Sequence, residues 1–234
     1  LGLEGERYGG TRLSHRLIRA GLTLGGLRKR GRRNVLNIQL RHNTVPLARL
    51  PAALDGTTLL HISDPHLDMD AGFLAHLIER VQGLRFDACV LTGDFRFHGA
   101  GAYQAVLDGL ARLRPHLGER VHAVLGNHDS IRMVPGMEQR GYPVLMNESL
   151  RWQQAGGALA VVGIDDAHYF RTHNLHKAMA DVVADDCVVL LSHTPEPYRQ
   201  AAHAGVDLML SGHTHGGQVC LPGGFPILTD TPTP

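Results

Sequence analysis

The segment that decides the fold is residues 206–219, which read VDLMLSGHTHGGQV. An apolar run typical of a buried strand passes there into glycines that flank two histidines. If the strand continues that far, His213 and His215 project from the same face, because alternate residues of a strand share a side. Two imidazoles on one face indicate half of a metal site, and a polar hairpin turn is the simpler alternative. The rest of the chain distinguishes these interpretations.

Short apolar runs rich in Val, Ile and Leu alternate with longer amphipathic segments from residue 57 onward. Such runs predict buried strands at 57–63, 87–93, 120–126, 158–164, 186–192 and 206–211. Helical spacing of apolar residues predicts helices at 70–83, 99–114, 130–140, 173–183 and 195–204. Strands that alternate with helices predict an α/β fold with largely parallel pairing.

Chemically reactive side chains follow five of these predicted strands. The five segments are SDPHLD (63–68), TGDF (92–95), GNHD (126–129), SHTP (192–195) and SGHTH (211–215). Open α/β sheets bind ligands outside the carboxyl ends of their strands. We therefore expect all five segments to converge on one crevice.

Each segment also has a simpler interpretation when it is taken alone. Asp64 and His66 could form a turn or a cap, and Gly93-Asp94 is a common way to begin a turn. Asn127 and Asp129 could begin a helix, and His193 could cap the helix that follows it. The ordered combination of all five favours a shared site.

In their order and motifs, the five segments resemble the calcineurin-like metallophosphoesterase superfamily, over roughly residues 57–221. The fuller strings SDPHLD, LTGD, LGNHD, GIDD and SGHTHGGQV are most similar to a bacterial phosphodiesterase branch that is often membrane-associated and includes UDP-2,3-diacylglucosamine hydrolases. The resemblance implies a four-layer α/β sandwich of two mixed sheets flanked by helices. It also implies a metallophosphoesterase domain over residues 51–234.

Two divalent metal ions are implied by the same resemblance. Asp64, His66 and His215 would hold the first ion, and Asn127, His193 and His213 would hold the second. Asp94 would bridge both ions, His128 would be the catalytic imidazole, and Asp129 would orient that imidazole through its other ring nitrogen. Oxygen and imidazole ligands without thiolate suit Mn, Fe, Zn or Mg, and we favour Mn.

The implied reaction is hydrolysis of a phosphodiester or pyrophosphate by a hydroxide that bridges the two ions. A phosphomonoesterase or a protein phosphatase of the same fold is the alternative, and a non-catalytic scaffold is disfavoured because all the implied ligands are present. Arg96 and His98 are candidate substrate contacts, with a solvated loop as the alternative. For His168, His173 and His176, surface positions are favoured over the substrate groove, and for Asp165 and Asp166 a structural role is favoured over ligation.

A basic arm, residues 1–50, precedes the acidic body of the chain. It holds eleven Lys and Arg against two Glu, a balance of +9, which leaves −8 for residues 51–234 because the net charge is +1. Residues 11–33 combine leucines at helical spacing with many arginines, a pattern typical of helices that lie on anionic membranes. Packing on the domain or a solvated arm is the alternative. The arm lacks the aromatic residues that stack on bases, so we expect no nucleic-acid partner.

Composition sets the remaining expectations. An apolar content of 43% and a charged content of 19% fit a globular domain. Three cysteines form no motif and indicate a reducing compartment, so we expect a cytoplasmic protein with peripheral contact to the inner membrane. The sequence begins without Met and ends at TDTPTP, and we expect further residues on both sides.

Overall fold

A computed structural model describes residues 20–154, 157–215, 219–220 and 226–228. The first sheet contains β1 (Leu59–Ile62), β2 (Ala88–Thr92) and β3 (Val121–Val124), paired in parallel in that order. Every residue of the central strand β2 is buried, which accounts for its continuous apolar run.

The second sheet is mixed and has the strand order β4-β5-β6-β7. It contains β4 (Glu148–Gln154), β5 (Gly157–Gly163), β6 (Cys187–Leu191) and β7 (Leu208–Leu210). The strands β5, β6 and β7 are parallel, and β4 pairs antiparallel to β5. The sequence analysis missed β4, whose composition is largely polar. A small antiparallel pair joins β8 (Val219–Cys220) to β9 (Pro226–Leu228).

The two sheets pack face to face across an apolar layer. Val90 and Val124 from the first sheet meet Val161 and Val189 from the second sheet in one buried cluster. A second cluster fills the outer face of the first sheet and a third fills the outer face of the second sheet. Helices cover both outer faces, so the four-layer α/β sandwich predicted from the sequence is confirmed. The described part of the first sheet is wholly parallel.

The helices are shorter than predicted. They are α1 (Arg28–Leu36), α2 (Phe73–Val81), α3 (Gln104–Leu113), α4 (Val134–Glu138), α5 (Leu175–Ala178) and α6 (Tyr198–His203). The apolar faces of α2, α3 and α4 pack on the first sheet, and those of α5 and α6 pack on the second. The predicted helix 130–140 begins as a 3₁₀ turn, Ile131–Met133, because the Ser130 side chain accepts a hydrogen bond from Arg132 N.

The described part of the basic arm is exposed at helix α1 and packs on the domain further along, where Ile38, Leu47 and Leu50 contact the apolar clusters. Helix α1 has no buried residue, and Arg32 donates a hydrogen bond of 2.9 Å to Asp70 at the start of the domain. Residues 11–19 of the predicted amphipathic segment lie outside the described residues. Within the described ranges, no helix has the length and apolar character that a membrane crossing requires.

Candidate metal centre

The five predicted segments meet at the carboxyl ends of the parallel strands. Asp64 and His66 follow β1, Asp94 follows β2, and His193 follows β6. His193 Nδ1 lies 2.7 Å from Thr92 O, at the end of β2. This contact joins the carboxyl end of β2 in the first sheet to the loop after β6 in the second sheet. The crevice predicted from strand order is therefore present.

Six side chains form two groups that could each hold a metal ion. Asp64, His66 and His215 make the first group, and Asp94, His193 and His213 make the second. Within each group the candidate ligand atoms lie within 4.8 Å of one another. His213 and His215 thus belong to different groups, as the family resemblance implied.

Asp94 lies between the two groups. Its Oδ2 is 3.4 Å from His193 Nε2 and 4.0 Å from His66 Nε2, and its Oδ1 accepts a hydrogen bond of 2.9 Å from His128 N. The residue is only 2% exposed. One carboxylate oxygen therefore faces imidazoles of both groups, which is the geometry that a shared ligand needs.

Backbone carbonyl groups orient three imidazoles in the same way. His66 Nδ1 lies 2.6 Å from Arg96 O, His193 Nδ1 lies 2.7 Å from Thr92 O, and His128 Nδ1 lies 2.6 Å from Phe97 O. A carbonyl oxygen can only accept, so each Nδ1 carries the proton in the neutral ring. Each Nε2 is then left with its lone pair, the tautomer that a metal ligand requires.

Asn127 adds a neutral oxygen to the second group, because its Oδ1 lies 3.0 Å from His193 Nε2. The two groups together offer carboxylate oxygens, an amide oxygen and imidazole nitrogens with fixed tautomers. This donor set fits divalent ions such as Mn, Fe or Zn, and it contains no thiolate that would favour softer ions.

The buried pair Asp94 and His193 has strongly perturbed pKa values. Burial alone would raise the pKa of Asp94, but its hydrogen bond and charge interaction with His193 lower the pKa to about 2. Burial alone would lower the pKa of His193, but the same interaction with Asp94 raises it to about 9. In the metal-free protein the two side chains therefore form an ion pair at neutral pH, and a metal ion must displace the proton on His193.

Five of the candidate ligands have a left-handed backbone. The φ angles are 51° for Asp64, 37° for His66, 55° for Asp94, 67° for His213 and 50° for His215. This conformation is uncommon for residues other than glycine and is concentrated at functional sites. It also corrects the strand-alternation argument: β7 ends at Leu210, so the two histidines lie in a turn and do not share a strand face.

Two glycines of the motifs are required by close packing. A Cβ atom on Gly126 would overlap the Asp94 carboxylate, and one on Gly212 would overlap the side chains of Ser63 and Asp64. Gly93, with a φ of 86°, packs against the backbone of Gly126. The glycines thus bring the loops close enough for the two groups to form.

The contact through which Asp129 was expected to orient His128 is not found among the described residues. Phe97 O, and not the Asp129 carboxylate, contacts His128 Nδ1. The oxygens of Asp129 accept hydrogen bonds from Gly126 N at 2.9 Å and Arg96 N at 3.2 Å, and burial raises the pKa of this residue to about 7. Asp129 therefore ties the GNHD loop to the loop after β2.

The two candidate substrate contacts differ in their surroundings. Arg96 is buried and donates to Gly101 O at 3.2 Å, so it does not lie in a solvated loop. The His98 main chain lies at the surface, where its N–H contacts the Asp68 carboxylate at 3.4 Å. Among the described residues, no hydrogen bond or ion pair joins either side chain to Asp64, Asp94 or His193.

A surface position was favoured for His168, but its side chain lies beside the site. The ring of His168 lies 4.8 Å from the ring of His213, and its Nδ1 lies 2.7 Å from Glu196 Oε1. His168 lies four residues beyond the end of the predicted strand 158–164, and the folded loop brings it to the site. Asp166 has the predicted structural role, because its buried carboxylate accepts hydrogen bonds from the amides of Tyr169 and Phe170.

Comparisons with known proteins agree with this geometry. A family described as calcineurin-like phosphoesterase matches residues 57–217. An uncharacterized metallophosphoesterase, YkoQ of Bacillus subtilis (strain 168), is 30% identical over 70% of this chain and 63% of its own length. A Danio rerio protein named "Transmembrane protein with metallophosphoesterase domain" is 28% identical over 75% of this chain and 44% of its own length.

A third relative, the uncharacterized protein YpbG of Bacillus subtilis (strain 168), is 28% identical over 77% of this chain and 69% of its own length. The matched region spans less than two thirds of the first two relatives. The family match itself covers every residue of the two ligand groups, from Asp64 to His215. The chain belongs to the calcineurin-like phosphoesterase family.

Proposed function

We propose that the chain is a metal-dependent phosphodiesterase that uses two divalent ions, with Mn favoured. The observation that carries this proposal is the pair of ligand groups, with one Asp94 oxygen facing imidazoles of both. Asp64, His66 and His215 would hold one ion, and Asn127, His193 and His213 would hold the other. Two such ions supply charge neutralisation at the phosphoryl oxygens and a lowered pKa for the attacking water.

His128, as an imidazolium with both ring nitrogens protonated, is the proposed proton donor to the leaving oxygen, and it is left as the neutral ring with its proton on Nδ1. Its Nδ1 is occupied by Phe97 O, so Nε2 is the only ring nitrogen left to exchange a proton with a substrate. The His128 ring lies 5.5 Å from the ring of His66. The main-chain N–H of His128 donates a hydrogen bond to Asp94 Oδ1, which anchors the main chain beside the proposed ions. A positioned acid of this kind contributes about 10²–10⁴ in rate.

A diester is favoured over a monoester because of the charges around the site. Arg96 donates to Gly101 O, and the described arginine ion pairs are all with carboxylates outside the ligand groups: Asp70, Asp108, Asp186 and Asp207. Dianionic monoesters are commonly held by bidentate arginines, whereas a diester carries one negative charge and needs less compensation. A phosphomonoesterase or protein phosphatase is the alternative within the family.

A lipid-linked substrate at an anionic membrane is the proposed setting. The support is helix α1, which carries five basic residues and no acidic one, beside exposed leucines that include Leu24, 90% exposed. Cosedimentation with vesicles of phosphatidylglycerol and phosphatidylcholine tests this setting. Loss of binding to anionic vesicles when Arg28, Lys29 and Arg30 are replaced by Gln supports this setting. Equal binding of the wild type to anionic and to neutral vesicles contradicts it, as does equal binding of the wild type and the triple variant to anionic vesicles.

The activity is tested by loading the protein with Mn²⁺ and comparing bis(p-nitrophenyl) phosphate with p-nitrophenyl phosphate. We expect metal-dependent turnover of both, a higher kcat/KM for the diester, and a loss of at least 100-fold in Asp94→Asn. A higher kcat/KM for the monoester supports the alternative. No turnover of either compound by metal-loaded protein contradicts the proposal.

A further inference from the structure

A cavity of about 370 Å³ lies beside the candidate metal centre. Two loops of the centre also line the cavity. Gly126 and Asp129 line it from the GNHD loop, and Asp165 and Phe170 line it from the loop that carries His168. Ile131, 65% exposed, and Phe170, 49% exposed, form an apolar rim where the cavity opens to solvent. The function proposed above assigns no role to this cavity.

Arg96 lines the cavity and is the unusual residue in it. The side chain is only 2% exposed, and its Nε has no hydrogen-bond partner in the described part of the protein. One contact, Nη2 to Gly101 O at 3.2 Å, is its only hydrogen bond there, and the guanidinium lies 5.9 Å from the centroid of the Tyr103 ring. A permanently charged group that is buried without an anionic partner is costly, so such a group indicates a ligand.

No carboxylate among the described residues lies within 4.0 Å of the Arg96 guanidinium. The two acidic residues of the cavity are engaged elsewhere: Asp129 accepts from two backbone amides, and Asp165 accepts from Asp166 N at 2.8 Å. Arg132 adds a second positive charge at the rim, and its guanidinium has no ion pair in the same ranges. The cavity therefore offers two arginines whose charge is not neutralised by contact.

We propose that this cavity binds a second anionic group of the substrate, a phosphate or a carboxylate, through Arg96 with Arg132 at the rim. The Nε and Nη donors of a guanidinium match two oxygens of such a group. The apolar rim would contact apolar parts of the substrate that lie beside that group. This inference rests on the proposed function and narrows its substrate class to phosphodiesters that carry a second anionic group, pyrophosphates included.

Anion binding to the metal-free protein tests the cavity without any need for activity. Inorganic phosphate and acetate are titrated calorimetrically into the chelator-treated full chain and into Arg96→Met. We expect at least one of the two anions to bind, with an affinity at least tenfold lower in Arg96→Met. The anion that binds with the higher affinity identifies the substrate group as a phosphate or a carboxylate. Binding of neither anion, or equal binding to the variant, overturns the proposal.

Three further variants make the result specific. Arg96→Lys keeps the charge but loses the Nε donor, and we expect at least threefold weaker binding even if Arg96→Met fails to fold. Arg132→Met should weaken binding two- to fivefold. Arg80→Met, at an exposed position on α2, should have no effect. Equal losses in all these variants would overturn a specific role for Arg96.

Turnover links the cavity to the substrate. ADP-ribose carries a second phosphate beside the one attacked, and bis(p-nitrophenyl) phosphate carries one phosphate. We expect Arg96→Met to reduce the ratio of kcat/KM for ADP-ribose over bis(p-nitrophenyl) phosphate at least tenfold, and an unchanged ratio overturns the inference. If metal-loaded wild type turns over neither compound while Arg96-dependent anion binding persists, the proposed function fails and the binding site stands.

Discussion

Metal binding to the second ligand group should depend steeply on pH. The pKa of His193 is raised to about 9 by Asp94, so at pH 7 the ring carries a proton that an ion must displace. Removal of a proton two pH units below its pKa costs about 3 kcal/mol, which is about 100-fold in affinity. The apparent affinity of this ion should therefore rise about tenfold per pH unit from pH 6.5 and level off near pH 9.

The first ligand group supplies an internal comparison. Burial lowers the pKa of His66, so a proton on that ring opposes an ion less than the proton on His193 does. We expect competition titrations of Mn²⁺ or Zn²⁺ against a chelator, between pH 6.5 and 9.5, to resolve one steep and one shallow binding event. Two binding events whose affinities change equally with pH would refute the assignment of His193 as a protonated partner of Asp94. An affinity that keeps rising tenfold per pH unit above pH 9 would refute it as well.

Three substitutions test other parts of the site. Gly212→Ala should lower kcat/KM at least 100-fold because the added Cβ would overlap the Asp64 carboxylate. Gly31→Ala is the control, because a Cβ there would meet nothing, and it should have wild-type activity. Equal activities of the two variants would contradict this packing requirement. Asp129→Ala leaves two backbone amides unsatisfied and should lower the free energy of unfolding by about 2–4 kcal/mol in urea titrations, with an unchanged midpoint as the contrary result. His128→Ala should lower kcat by about 10²–10⁴ and retain metal binding measured by calorimetry, whereas loss of metal would make His128 a ligand instead.

The architecture was predictable because its strands are buried on both faces. The central strands β2 and β6 are completely buried and, apart from Thr92, apolar, so runs of Val and Leu identify them. Strand β4 escaped prediction because it lies at the edge of its sheet and presents exposed Arg151 and Gln153. A strand with one solvated face and few apolar residues resembles a loop in sequence.

The candidate site was predictable in its residues but not in its conformation. Strand order brings Asp64, Asp94 and His193 to one edge, and this follows from the parallel pairing of the strands. The left-handed backbone of His213 and His215 could not be predicted from the sequence. It depends on packing around Gly212 and on the contact of the His213 amide with the Asp64 carboxylate. Local sequence carries no signal for contacts between residues so distant in the chain.

The role of Asp129 illustrates the same difficulty. A carboxylate next to a catalytic imidazole suggests a contact between the two, and a backbone carbonyl from another loop makes that contact instead. Backbone groups are present at every position and leave no trace in composition. Which carbonyl meets a given imidazole is therefore known only when the loops are in place.

The central claim is that two ions share Asp94, and a crystal structure of the Mn²⁺-loaded protein with anomalous scattering tests it most directly. The account predicts two anomalous peaks that both contact Asp94, one beside His66 and His215 and the other beside His193 and His213. A single peak, or one ion contacted by both His213 and His215, would contradict it.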